Sequence, residues 1–264
     1  MLYGVMLLFY PAYQVRAIKR FESILKKIDP DFRLLLVVNN DSINCDSLSG
    51  YNYILGDNSN WEFSGWESAL KYLSPIDDTS SVIFSNDTFC HHNLWGVYEI
   101  NKFSQTFKRL YKKNRRLPSP VLSGSTQTFN EVFSIFGSES DLWVSTYLFL
   151  TTGALLNKLK LKMSLSSDQV EKVINIGDDG IVSFSTEISD NLGEHIIDWM
   201  YPPENSDGWY NHSDVDALHK KKKIVSIINE KYLSINCIKC GGSIVEVFTI
   251  KRVKYFIRKL ISKG

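Results

Sequence analysis

Residues 32–41 read FRLLLVVNND, an apolar run interrupted only by Arg33 and closed by two amides and a carboxylate. A strand with one wet face alternates polar and apolar side chains. A run without alternation is a strand covered on both faces, as in a parallel sheet between helices. The polar triplet Asn39-Asn40-Asp41 then marks the strand end. Upstream, residues 3–9 (YGVMLLF) form a second such run. Between the two, Ala17, Ile18, Phe21, Ile24, Leu25 and Ile28 recur at helical spacing over residues 15–28. Downstream, residues 51–55 read as a short strand and residues 66–73 as a helix. Residues 81–84 read as a fourth strand, ending in Ser85-Asn86-Asp87. Strands alternating with helices predict an α/β fold of Rossmann-like, doubly wound type: a mixed, mostly parallel sheet flanked by helices.

In such sheets ligands sit beyond the carboxyl ends of the strands. Asn39-Asn40, Asp57-Asn58 and Asn86-Asp87 are expected there, which points to a polar ligand, the alternative being a set of ordinary turn residues. No GxGxxG or GxxxxGK[ST] follows the first strand, so neither the usual dinucleotide loop nor a P-loop is present. The second half is less regular. Residues 121–125 and 142–150 read as strands, 153–161 and 168–174 as helices, 202–214 as a loop, and 224–228 as a last strand.

The chain has 264 residues, enough for one large core with a small appendage. Its formal net charge is +1, which excludes a uniformly basic nucleic-acid binder and an acidic disordered chain. That balance is unevenly distributed. Six basic residues lie in 108–116, four in 220–223 and six in the tail from 247 to 264, and none of these stretches holds an acid. The remainder sets 14 basic residues against 29 acidic ones, a charge of −15. Of the four cysteines, Cys237 and Cys240 form a CxxC, but no second pair follows at zinc spacing, so the thiols read as reduced. The apolar N-terminal run is too short to span a bilayer and carries no export features, which predicts a cytoplasmic protein.

Two segments together resemble a known family. Residues 56–70 (GDNSNWEFSGWESAL) and 82–96 (VIFSNDTFCHHNLWG) are similar to paired segments of the rhamnan synthesis F proteins. Those are bacterial glycosyltransferases of GT-A architecture that act on cell-surface polysaccharides. Residues 143–150 (WVSTYLFL) and 184–192 (FSTEISDNL) carry weaker matches in the same order, so the resemblance covers about residues 1–200. Two departures stand out: His91-His92-Asn93 replaces a Gly-Pro, and Trp61-Glu62 replaces an aromatic-Asp.

The resemblance implies a GT-A domain over residues 1–215, with a nucleotide-sugar-binding half (1–100) and an acceptor half (101–215), followed by an extension over 216–264. The implied reaction moves a sugar from a nucleotide-diphosphate donor to a lipid-linked saccharide acceptor in O-antigen, capsule or cell-wall polysaccharide synthesis. Such enzymes neutralise the leaving diphosphate, usually with Mn²⁺ or Mg²⁺ held by a carboxylate at the end of a central strand. Asp87 falls at that place as metal ligand, with Asn86 beside it; the alternative for Asp87 is a turn cap. The implied donor contacts are Asn39, Asn40, Asp57, Asn58, Glu62, Gly65, Asn86, Asp87 and His212, the last in a loop suited to a lid. Glu62 is equally at home as a first-turn acid at a helix N-terminus. For a general base the expected residue is Glu187, with Asp141 second.

The tail completes the reading. Over 247–263, Ile250, Val253, Ile257, Leu260 and Ile261 share one helical face, and Lys251, Arg252, Lys254, Arg258 and Lys259 cover much of the rest. A basic amphipathic helix fits an anchor on anionic lipid, and hence a protein held peripherally on the inner face of the cytoplasmic membrane. A terminal helix packed on the domain is the alternative. A degenerate, non-catalytic transferase acting as a scaffold is the competing function. Nucleic-acid binding is disfavoured by the acidic remainder.

Overall fold

The computed structural model describes residues 1–91, 95–176, 182–201 and 217–248. The chain runs β1 (Leu2–Leu8), α1 (Gln14–Ile28), β2 (Arg33–Val38), β3 (Asn52–Leu55), α2 (Trp61–Leu73), β4 (Ser81–Asn86), α3 (Val97–Arg116), β5 (Val121–Ile135), β6 (Ser138–Thr152), α4 (Gly153–Lys158), α5 (Ser167–Val173), β7 (Ile174–Ile176), β8 (Val182–Phe184), α6 (Asp190–Met200), α7 (Ala217–Lys239) and β9 (Ser243–Glu246). One seven-stranded sheet has the order β3-β2-β1-β4-β6-β5-β9, and β7 pairs with β8 apart from it. β1 runs parallel to β2 and β4, β2 parallel to β3, and β5 parallel to β9. β6 is antiparallel to both of its neighbours. The protein is α/β, with a mixed, mostly parallel sheet between helices, as its apolar runs predict.

The absence of alternation in β1 has a direct structural cause. Leu2, Met6 and Leu8 pack beneath α1 and α3 with Phe21, Phe103 and Phe107. Val5 and Leu7 face the other way, into a layer built from Phe63 and Trp66 of α2, Leu155 of α4 and Leu233 of α7. Each such buried side chain contributes roughly 1.5–3 kcal/mol, so both faces of β1 are fixed by hydrophobic burial. A third cluster lies under the far half of the β5–β6 hairpin, where Phe133, Trp143, Ile196 and Ile228 meet.

Three expectations need correction. The strand over 121–125 is the first third of a 15-residue strand. It stays paired with β6 through register shifts at Gly124/Thr126 and Thr128/Phe133. The segment 224–228 is helical, inside α7. Its β-branched run carries strand propensity, but α7 packs against β6, α2 and α6, and burial on several sides overrides that local preference. Finally, residue 215 does not divide the sheet: α7 covers β6, and β9 adds a parallel strand to the edge at β5. The expected tail helix falls almost wholly on residues 249–264, outside the described residues, as does His212. Among the described residues no helix is long and apolar enough to cross a membrane.

Candidate functional site at the carboxyl ends of β1 and β4

From β1 the chain winds through β2 to β3 on one side, then returns to place β4 on the other. The loops leaving β1 and β4 therefore diverge, and a crevice opens between them, the usual ligand position in an open α/β sheet. A cavity of about 200 Å³ lies there. It is lined by Leu7 of β1 with Phe9 and Tyr10 after it, by Asn39 after β2, and by Asn86 at the end of β4 with Asp87 and Thr88 after it. Asn58, Trp61 and Glu62, from the approach to α2, complete one wall, and Trp199 of α6 and Lys223 of α7 the other.

Asp87 is 1% exposed. Its Oδ2 accepts the backbone N–H groups of Phe9 at 2.7 Å and Tyr10 at 2.6 Å, which ties the end of β4 to the turn after β1. Its Oδ1 is buried without a hydrogen-bond partner among the described residues. Burial pushes the carboxyl up to about 6, against the two backbone N–H groups that favour its charged form, with nearby Glu62 adding to the rise. Burial, then Asp87 and Glu62, likewise raise the Tyr10 phenol. Two acids and a phenol thus share one small space. Lys223 stands over the Trp199 ring at 5.1 Å and the Trp61 ring at 5.8 Å, a cation held on two aromatic faces.

One amide holds the loop between β3 and α2 from the sheet side. Asn39, 5% exposed, donates from Nδ2 to Asn58 Oδ1 at 3.0 Å and to the Trp61 carbonyl at 3.3 Å; its Oδ1 accepts the Asn58 N–H at 3.2 Å. Asn58 (φ 48°) and Trp61 (φ 53°) both take left-handed backbone conformations. For an indole-bearing residue that is strained, and such strain persists only where surrounding contacts enforce it. The result is a Trp61 ring and a Glu62 carboxylate turned to the cavity. Glu62 also accepts the Ser226 hydroxyl of α7 at 3.0 Å. Lys222 donates to the Asn58 carbonyl at 3.1 Å, so α7 clamps the same loop from outside.

Of the residues expected to contact the donor, Asn39, Asn58, Glu62, Asn86 and Asp87 line this cavity. Asn40 is adjacent but spent on the backbone: it donates to the Phe9 carbonyl at 2.7 Å and accepts the Ser42 N–H. Asp57 is exposed and lines a neighbouring cleft, its carboxyl held below the usual range chiefly by the Ser59 backbone N–H. Gly65 is buried on the sheet-facing side of α2, where a Cβ would come within 2.6 Å of Leu7 Cδ1; it lets the helix approach the sheet. Glu187 and Asp141 do not line the cavity. Glu187 is exposed in the segment between β8 and α6, where its carbonyl accepts the N–H of Phe136 from the turn of the β5–β6 hairpin. Asp141 lies on β6 seven residues beyond Leu148, the partner of Ser85 in β4; at strand rise that is roughly 20 Å.

Tyr10, Trp199 and Lys223 were not singled out by the sequence. The Lys223 signal lay in the run 220–223, legible as charge but not as a cavity wall.

A divalent cation fits this site only in a restricted way. Among the described residues no three His, Cys, Asp or Glu side chains group as a metal cage. What the site offers is Oδ1 of Asp87, and a hard cation bound there would take its other oxygens from a diphosphate and water. The fold and site define an α/β protein with a polar, aromatic-walled crevice at the switch point of its sheet. Scanned against models of known protein families the chain matches none, and no curated protein matches it.

Proposed function

We propose that the protein is a glycosyltransferase of GT-A architecture, transferring a hexose or deoxyhexose from a nucleotide-diphosphate donor to a lipid-linked saccharide in bacterial surface-glycan synthesis. The observation that carries this reading is Asp87: a buried carboxylate just after β4, at the switch point, with one oxygen fixed by the turn after β1 and the other without a hydrogen-bond partner among the described residues. The resemblance of residues 56–70 and 82–96 to the rhamnan synthesis F proteins converges on the same cavity, supplying Asn58, Trp61, Glu62, Asn86 and Asp87 to its lining.

Each wall suits a part of such a donor. The Lys223 ammonium supplies positive charge against the diphosphate. Trp61 and Trp199, each with Lys223 over its ring, give the wall apolar contact for a base or sugar ring. A bound Mn²⁺ or Mg²⁺ would neutralise the leaving diphosphate. Asp87 would hold it through Oδ1. Glu62 is the second carboxylate of the cavity and, on this geometry, replaces Glu187 and Asp141 as the acid nearest the transfer. The basic segment 251–263 suits an anionic membrane surface, where a lipid-linked acceptor would be presented.

The test is incubation with a panel of nucleotide sugars, Mn²⁺ and a lipid-linked acceptor, reading release of UDP, GDP or dTDP. Release from one donor, abolished by Asp87→Asn, is expected. Silence across the panel overturns the reading. A second reading has one observation in its favour: Oδ2 of Asp87 is committed to the backbone, leaving a single carboxylate oxygen where metal-dependent catalysis usually has more. On that reading the protein is a degenerate transferase that scaffolds a glycan-assembly complex, and Asp87→Asn would leave its partner binding unchanged.

A further inference from the structure

We propose that the outer face of α1 and α3 is the surface by which this chain lies on an anionic phospholipid bilayer. The inference deepens the membrane part of the proposed function and is independent of the transfer chemistry. The two helices pack side by side over one face of the sheet. Between them they carry twelve Lys and Arg residues, five on α1 and seven on α3, against two acids, Glu22 and Glu99.

Burial explains why these cations are on the surface. α1 turns Ala17, Ile18, Phe21, Ile24 and Leu25 to the sheet, and α3 turns Ile100, Phe103, Phe107 and Leu110. The polar residues have only the outer side left. The acids in this layer already have partners. Glu99 accepts the Gly96 N–H, Glu22 accepts the Tyr51 hydroxyl, and Asp29, which caps α1, accepts the Tyr111 hydroxyl. Those neutral donors leave the three carboxylate charges in place, with Asp29 close enough to Arg115 to feel it, but three acids against twelve cations leave a net positive face whose field extends outward.

Two features favour a bilayer over a nucleic acid. The surface is a layer of two helices edged with exposed apolar side chains: Val15 at the start of α1, Val97 and Tyr98 at the start of α3, and Leu117 after it. Apolar side chains among cations suit the boundary between headgroups and acyl chains. The chain just before the basic tail also reaches this layer. Phe248 packs against Phe103 of α3 at 5.6 Å and stacks on Tyr98 at 6.2 Å. The residues that follow add six cations and no acid. Because α1 and α3 follow parallel strands β1 and β4, their N-termini lie at the carboxyl end of the sheet, beside the cavity. Docking through this layer would hold the cavity rim near the bilayer, where a lipid-linked acceptor is presented.

The test is co-sedimentation of the full chain with phosphatidylglycerol/phosphatidylcholine vesicles and with pure phosphatidylcholine vesicles at 0.15 M salt. Two full-length variants are compared, with thermal melts confirming that each folds. One neutralises the face at exposed positions (Lys19→Gln, Lys26→Gln, Lys112→Gln, Arg116→Gln), the other the tail (Lys251→Gln, Arg252→Gln, Lys254→Gln, Lys259→Gln). The native chain is expected to bind only the anionic vesicles. The face variant should bind them at least roughly tenfold more weakly with its tail intact, since each cation at such a surface is worth several-fold. Native-like binding by the face variant, with binding lost in the tail variant, overturns the face and leaves the membrane reading standing. Equal binding to neutral vesicles, or tighter binding to duplex DNA than to anionic vesicles, overturns it as well. Binding by no chain overturns the membrane reading itself.

Discussion

Asp87→Asn tests the electrostatics of the cavity without presupposing its ligand. The carboxyl moves from an ordinary 3.8 to about 6 on folding, because burial strips water from it more effectively than the N–H groups of Phe9 and Tyr10 replace that water. An acid whose folded pKa lies above its unfolded one is charged in the native state at a cost. That cost is absent below pH 3.8, grows as pH rises, and is complete above about 6. At 1.36 kcal/mol per pH unit it amounts to roughly 3 kcal/mol. Asparagine keeps an oxygen for the two backbone N–H groups and removes the charge. Its Nδ2 brings a constant penalty for a buried donor, which cancels when the two proteins are compared across pH. Urea unfolding from pH 3.5 to 7.5 should therefore show the stability of the variant, relative to the native protein, rising by roughly 3 kcal/mol. In a chain of this size that corresponds to roughly 5–10 °C in Tm. A difference that stays flat with pH would refute the argument, because it would mean that Asp87 is solvated or already paired. A rise would mean that the fold carries this carboxylate at a cost to stability, as functional residues commonly are carried.

Other outcomes follow from the same packing. Glu67, 6% exposed on α2, accepts the N–H groups of Met163 and Ser164, the Ser164 hydroxyl and the Lys162 ammonium, so it pins the segment after α4 to the back of α2. Glu67→Ala strands those donors and should cost about 3 kcal/mol in denaturant unfolding; a loss under 1 kcal/mol would show the segment to be held by its apolar contacts. A Cβ at Gly153 would lie 2.0 Å from the Asp77 carbonyl oxygen. Backbone has to move, and Gly153→Ala should lower stability by at least about 2 kcal/mol, with a neutral result showing that the 77–78 turn yields freely. Burial pushes the Cys237 thiol up to about 12 and raises the Cys90 thiol as well. Under native conditions at pH 8, Ellman's reagent should modify Cys45 and Cys240 well before either; rapid reaction at Cys237 would contradict its burial between α7 and the sheet.

How much of this the sequence made legible depended on the range of the signal. β1, β2 and β4 were readable because burial on both faces removes alternation from the sequence itself, and α1 because one face carries its apolar residues. The strand ends followed: once the strands are ordered, Asn39, Asn86 and Asp87 can only lie at one end of the sheet. The remainder of the cavity depends on docking. Trp199 and Lys223 arrive from α6 and α7, and nothing in their local pattern says which crevice those helices will close. α7 was itself obscured, since Ser226, Asn229, Lys231 and Ser234 are buried along with its apolar residues, and the helical period fades from the sequence. The far half of β5 was obscured by its register shifts and by a core supplied from α6 and α7 rather than from the sheet. Glu187 has only its place in a weak motif match to recommend it, and Asp141 only its carboxylate; the first sits in the segment between β8 and α6 and the second far along β6, so neither lines the cavity.

The central claim is that the crevice beyond β1 and β4 receives a nucleoside diphosphate. Calorimetric titration of UDP, GDP and dTDP with Mn²⁺ into the native protein, Asp87→Asn and Lys223→Met tests it most directly. Saturable binding of at least one of the three is expected, weakened roughly tenfold or more in both variants, each of which removes a charge that the ligand or its cation would meet in a partly desolvated site. No binding of any of the three, or equal affinity in all three proteins, would contradict it.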